Sequence, residues 1–366
     1  MTVCWRRPSG RQGCPSDTRP ARRRPGHGRR VNMRTVTRTL LLTAAVVAAA
    51  GLTTGCGKAG SSGTQAPATG ASGAGCAPVA GNQLVVLTDD KHLQTVDNIV
   101  PAINAKASNP SLVAALDKVS ASLDTQKLIA LNKSVDVDRK TPQVAASTFA
   151  QDNNLTAGIA KGPGGKITIG AANFSENQTL AELYKIALGA AGYDVTVQQI
   201  GNRELYEPAL ERGEIQVVPE YAGTLTEFLN KKVNGASAAP LASGDLDKTM
   251  SALTGLGNKV GLTFGKPSAA ADQNAFAVTT AFANQHGVKT LSDFAAKCAG
   301  KATVLGGPPE CPQRPFCQPG LQQTYGMSFG QFIPLDAGGP QTKNALKTGT
   351  ISIGLVFSSD GSLATG

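Results

Sequence analysis

From Gly165 onward the chain alternates short β-type runs with segments of helical periodicity. The run KITIG at 166–170 follows a Gly/Pro stretch and has strand character. Ser175, with Gln178 three residues on, has the spacing of a helix capping box. Leu180, Leu183, Tyr184, Ala187, Leu188 and Ala191 then recur at helical spacing, and Gly192 ends the helix. Residues 193–200 alternate as a strand, Asn202 is placed to cap a helix running to Arg212, and 215–218 form another strand. This β-α-β-α-β rhythm predicts a parallel α/β sheet with helices on both faces. It returns later as a strand at 275–279, a helix at 290–298, a strand at 303–305, a helix at 341–348 and a strand at 351–357. Upstream, one strand at 84–87 precedes helical patterns at 111–122, 125–133 and 142–152. Thr141 caps the last of these, with Pro142 at its first position. Three helices after a single strand need a sheet to lie against.

The first 55 residues read as an address. Residues 1–32 are rich in Arg, Pro and Gly and precede Met33, where a start is expected, so they are expected to be upstream sequence. From Met33 a short basic start, the apolar run LLLTAAVVAAAGL and small residues make a secretory signal through residue 55. That run is too short to span a bilayer, which takes about 20 apolar residues. TTGC, ending at Cys56, resembles the lipobox of bacterial lipoproteins, with Thr53 where Leu is usual. The resemblance implies lipidation of Cys56 and a chain anchored by lipid to the extracytoplasmic face of the cell membrane. Residues 56–82, dominated by Gly, Ala, Ser and Thr, are expected to be a flexible tether.

The formal charge of +10 changes nothing in this picture, because it belongs to the N-terminus. Residues 1–38 hold eleven arginines and one acid, Asp17. Without them 24 basic and 24 acidic residues remain (35 less 11, and 25 less 1). A nucleic-acid-binding domain carries its basic excess on the folded surface, so nucleic acid is excluded as a partner. Beyond Cys56 four cysteines remain, an even number that suggests two disulfides in an exported chain. Cys311 and Cys317, six apart in a Pro-rich loop, are expected to pair, which leaves Cys76 with Cys298. No histidine lies near them in sequence, so no metal site is expected.

The segment KITIGAANFSENQTLAELYKIAL…GNRELYEPALERGEIQVVPEYAGTLTEFL resembles substrate-binding proteins of glycine betaine/choline-type (osmoprotectant, quaternary amine) ABC transporters. The resemblance rests on NFSE at 173–176, GNRE at 201–204 and PEYAGT at 219–224. It continues through GGPPE at 306–310, Arg314, PGL at 319–321 and VFSSDG at 356–361. In typical members the last motif runs into a strand ending in Asp-Asp-Lys and then three helices; here those pieces, LVVLTDDK at 84–91 and the helices to residue 154, stand at the front. The order therefore reads as a circular permutation joined at 156–165, which surface termini allow.

The resemblance implies an α/β, two-lobed, periplasmic-binding-protein-like (type II) fold with a two-strand hinge and a ligand cleft. The expected organisation is a leader over 1–55, the tether over 56–82, lobe I over 83–265 plus 355–366, with 83–154 as the permuted C-terminal part, and lobe II over 275–350. Strand 84–87 is then expected in one sheet with 166–170, and Gly366 close to Gln83. The implied function is delivery of a quaternary amine osmoprotectant (glycine betaine, choline, carnitine or proline betaine) to the permease and ATPase subunits of an importer. It implies a monomer, no cofactor and no catalysis.

Carried over motif by motif, the ligand-binding residues are Tyr221, Phe276 and Phe357 as aromatic faces, Thr224, Asn173 and Asn177 as polar neighbours, and Arg314 as a carboxylate partner. Where family members have an aromatic Pro-Pro-Tyr-Tyr-like wall, this chain has Asp97 and Asn98, and Ala172 replaces a common Lys. A different small polar or amino-acid-like ligand therefore stays open, as does a sensor or enzyme on the same fold. No Ser-His-Asp set, nucleophile elbow or phosphate-cradling Gly loop supports an enzyme.

Overall fold

The computed structural model describes residues 71–363. The expectations for the leader, for Cys56 and for the position of Gly366 fall outside the described residues. The described chain begins in one lobe, builds the other, and returns. Strand β1 (Leu84–Leu87) is followed by a crossing segment and then by β2 (Ile99–Asn104), α1 (Pro110–Ser122), α2 (Thr125–Asp136), α3 (Pro142–Asp152), β3 (Lys166–Ala172), α4 (Ser175–Ala190), β4 (Asp194–Gly201), α5 (Arg203–Arg212), β5 (Val217–Tyr221), α6 (Ala222–Asn234), α7 (Leu246–Val260) and β6 (Leu262–Phe264). A second crossing leads to β7 (Asn274–Thr279), α8 (Thr280–His286), α9 (Leu291–Cys298), β8 (Gly300–Gly307), α10 (Gln318–Tyr325), β9 (Phe329–Pro334), α11 (Pro340–Lys347) and β10 (Ile353–Phe357).

The described residues form two five-stranded sheets, ordered β4-β3-β5-β2-β6 in lobe I and β1-β7-β10-β8-β9 in lobe II. In lobe I, β3 runs parallel to β4 and β5, as the rhythm predicts. Every residue of β2 (IVPAIN) and β5 (VVPEY) is buried, so neither strand shows the apolar/polar alternation of a half-exposed one, and the buried Glu220 in β5 is held by Arg203. Helices cover both faces: Leu116, Leu180 and Tyr184 fill one side of the lobe I sheet, and Leu210, Leu225 and Leu253 the other. Thr141 accepts from the Val144 N–H and caps α3 as expected.

Several expectations are corrected. Leu84–Leu87 pairs antiparallel with β7, Leu84 opposite Thr279, so it belongs to lobe II and not to the sheet of Lys166–Gly170. Strand β10 lies between β7 and β8 and is likewise part of lobe II. Alternation states that a strand has two faces, not which sheet receives it. The strand that does enter lobe I from the front, β2, is masked in sequence by Pro101, which usually argues against a central strand. Here Pro101 sits opposite Pro219, and the proline carbonyls are used: Gly265 N–H donates to Pro101 at 3.0 Å and Asn177 Nδ2 to Pro219 at 2.8 Å. Ser175 is the first residue of α4 and not its cap; Phe174 holds that position without a side-chain bond. Of the expected tether only residues 71–82 are described, and this part is not slack: Ala74 bridges to Gly300 and Cys76 is bonded to Cys298.

Three segments link the lobes. Residues 95–98 run beside 271–273, with the Asp272 N–H on the Asp97 carbonyl at 3.1 Å and Gln273 Nε2 on the Thr95 carbonyl at 2.6 Å. After β10, Ser359 reaches back to lobe I, where Asn132 Nδ2 donates to its carbonyl at 3.0 Å.

Candidate functional site

A cavity of about 480 Å³ lies between the lobes. Its lobe I wall comes from the end of β3, the first turn of α5 and the β5–α6 junction; its lobe II wall comes from the 308–317 loop, Ala337 and the end of β10. These are carboxyl ends of parallel strands, where α/β sheets open crevices. The two crossing segments contribute Asp97 and Asp272.

Three rings form an arc along this cavity. Phe174 stacks on Phe357 across the lobe boundary with centroids 5.5 Å apart, and its centroid is 6.2 Å from that of Tyr221. The Tyr221 hydroxyl donates to Glu176 Oε1 at 2.7 Å, and Glu176 also accepts from Ser359 Oγ and Asn132 Nδ2, each at 2.6 Å. Burial raises the Glu176 carboxyl above its ordinary value, against these three donors. Tyr221 and Phe357 thus line the cavity. Phe276 does not: it is 1% exposed in the core of lobe II, beside Phe282 and Leu305. On a strand buried on both faces an aromatic residue serves packing, and the third face of the arc is Phe174, which sequence reasoning passed over inside the NFSE motif. Its position just before α4, at a strand end, was the available signal.

The polar groups are set by close packing at the hinge. A Cβ on Gly223 would meet the Val96 carbonyl oxygen at 2.2 Å, so only glycine lets the first crossing segment pass here. That approach lays Asp97 Oδ1 on the N–H groups of Gly223 and Thr224, at 2.9 and 3.0 Å, at the start of α6. Asp97 is nevertheless buried, and burial pushes its carboxyl up to about 7. Asp272 Oδ1 accepts from the Ser359 N–H at 3.1 Å, and burial holds its carboxyl well above the usual range, with Glu176 and Asp97 adding to the shift.

The basic groups are already engaged. Arg203 Nε donates to Glu220 Oε1 at 2.8 Å, and Arg203 Nη2 to Thr224 Oγ1 at 3.0 Å. Lys232 bridges Glu207 and Glu211 at 2.6 and 2.7 Å. Arg314 lines the cavity, but its guanidinium reaches across to Glu204 at 2.9 Å and lies 3.4 Å from Glu310. Of the asparagines, Asn173 lines the cavity. Asn98 donates to the Ser268 carbonyl, and fully buried Asn177 bridges the Ala172 N–H and the Pro219 carbonyl. These last two hold the backbone and do not face the cavity.

Disulfides join Cys311 to Cys317 and Cys76 to Cys298. His286 Nδ1 lies 3.4 Å from Cys76 Sγ, correcting the expectation that no histidine is near these cysteines. With both sulfurs bonded to each other, this trio offers no thiolate pair to a metal. No helix among the described residues is long and apolar enough to cross a membrane.

The sequence profile of one family, described as the substrate binding domain of ABC-type glycine betaine transport system, matches residues 77–152 and 165–365. Among solved structures, Haemophilus influenzae OppA in complex with RPPGFSPFR is 14% identical, with a TM-score of 0.24 over 51% of this chain and 45% of that one. The periplasmic murein tripeptide binding protein MppA, in an unliganded open form, is 11% identical, with a TM-score of 0.25 over 51% of this chain and 44% of that one. The chain thus spans less than half the length of either, and likenesses so slight say nothing of its ligand.

Proposed function

Because the chain belongs to the family of substrate-binding domains of ABC-type glycine betaine transport systems, we propose that it delivers a quaternary amine osmoprotectant to its importer's permease and ATPase. Proteins of this family bind a small molecule outside the cytoplasm for an ABC importer and are not an enzyme family. The observation that carries the finer reading is the arc of Tyr221, Phe174 and Phe357 beside the buried acids Asp97 and Asp272. A methylated ammonium sheds water cheaply and offers no donor, so ring faces and acids are what select it. The walls come from both lobes, so ligand completes a contact between them and favours the closed form. Nothing else happens to the ligand; it is held and handed on.

The reading extends to a monomer anchored by lipid on Cys56, with the short apolar run before it as signal. It also extends to the permuted order. In support, the family match breaks at 153–164, between α3 and β3. Leu84 and Leu363, near the two ends of the cut strand order, pack against one apolar cluster of lobe II. A thermal-shift panel with glycine betaine, choline, carnitine and proline betaine tests the ligand class. At least one is expected to raise the melting temperature; no shift at millimolar concentrations with any of them would refute it.

A further inference from the structure

Lobe I and the crossing that follows β10 touch twice in quick succession. Phe174, just before α4, stacks on Phe357, the last residue of β10. Two residues further along each segment, Glu176 in the first turn of α4 accepts from Ser359 Oγ at 2.6 Å. The first contact is apolar and lines the ligand cavity. The second is polar and buried outside that lining, with Glu176 4% and Ser359 1% exposed.

Glu176 divides its two oxygens between the cavity wall and the crossing, as a carboxylate that accepts at both is able to do. Oε1 takes the Tyr221 hydroxyl at 2.7 Å, and Oε2 takes Ser359 Oγ and Asn132 Nδ2. Ser359 is held on every side. Its N–H donates to Asp272 Oδ1 at 3.1 Å, and its carbonyl and Oγ accept from Asn132 Nδ2 at 3.0 and 3.1 Å. With Nδ2 facing a carboxylate and a carbonyl, the Asn132 amide is fixed in orientation, and its Oδ1 is buried with no hydrogen-bond partner among the described residues. An unpaired buried acceptor is costly, so the bonds made by Nδ2 must offset it. Gly361 completes the arrangement. A Cβ there would meet the Lys133 backbone nitrogen at 2.6 Å, so glycine alone lets the crossing lie on α2 where Asn132 stands.

Resting on the reading above that Tyr221 is a wall of the ligand site, we propose that Glu176 is a positioning residue whose carboxylate keeps the Tyr221 ring and the 357–359 crossing in register. A ligand seated on the ring and the stance of lobe II then act on each other through Glu176. It stands outside the cavity lining and works through Tyr221 on one side and Ser359 on the other.

A double-mutant cycle that leaves the ring in place tests this: Tyr221→Phe removes only the hydroxyl, and Ser359→Ala only Oγ. In calorimetry with choline and with glycine betaine, each single variant is expected to bind roughly tenfold weaker, the worth of one hydrogen bond to a charged group. The double variant is expected to match the singles, since either loss already breaks the link, and neither change should add anything in Glu176→Ala. Losses that multiply to about a hundredfold in the double variant, or a single variant that keeps its affinity while only its melting temperature falls, overturn the inference and leave the ring arc standing. A second readout needs no ligand: pulsed EPR distances between spin labels at the exposed positions Lys259 in α7 and Lys347 in α11. The ligand-free distribution is expected to broaden to the same extent in both single variants and in the double, and an unchanged distribution overturns the inference. If neither amine binds the unaltered protein, the quaternary-amine reading falls and these distances alone decide the role of Glu176.

Discussion

Asp97 shows how one residue acquires its role from what surrounds it. Two α6 N–H groups and Arg203 favour its charge, yet burial, the largest influence, raises it to about 7. The groups that face it are Arg203 from α5, Glu220 from β5, Thr224 from α6 and Asp272 from the second crossing. In the empty cleft below that value Asp97 holds a proton, and a bound cation favours its loss. Cation binding therefore draws a proton from Asp97 below pH 7, and its contribution to affinity rises with pH by up to about tenfold per unit and levels off above 7. Titrations between pH 5.5 and 8.5 should show this, with Asp97→Asn losing that part of the slope. Affinity that falls as pH rises has the wrong sign for a carboxylate partner. The sequence offered Asp97 as a replacement for an aromatic wall, but it gave no sign of Asp272. Its role exists only because the hinge lays position 272 against position 97.

At the scale of elements, the repeating strands and helices of 166–212 were readable because they satisfy local rules. What failed was assignment between sheets: β1 reads the same whichever lobe receives it, and β2 is disguised by Pro101 until Pro219 is seen opposite. The 308–317 loop is an element of its own, closed by Cys311–Cys317. From it Arg314 reaches Glu204, Glu310 accepts from Asn202 at 3.3 Å, and the Gln313 carbonyl accepts from Lys231 at 3.3 Å. All three contacts join the lobes beside the cavity, so this loop is placed to hold the two walls together. Glu204→Gln removes one charge from these contacts. The variant should release ligand several-fold faster with little change in association rate, since closure follows encounter. Stopped-flow displacement distinguishes this from a slower association at constant release, which would place Glu204 in the encounter step instead.

Across the whole molecule, two lobes meet at three crossings and enclose the site between strand ends. A permuted order is compatible with this because the sheets are built by pairing across distance, not by chain order. A variant that joins residue 363 to residue 84 by a short Gly/Ser linker, opens the chain within 156–163 and carries Cys76 on a separate leader is expected to fold with the same cleft and ligand preference. Failure of that chain to bind, with the original order binding normally, would mean that the present connectivity is required.

The central claim is that three rings at the lobe boundary hold a methylated cation. Its most direct test is the affinity of choline for Phe174→Ala beside the unaltered protein. One desolvated cation–π contact is worth about 2 kcal/mol, so the account predicts roughly thirtyfold weaker binding in a variant that still melts cooperatively. Equal affinity in the two proteins would contradict it.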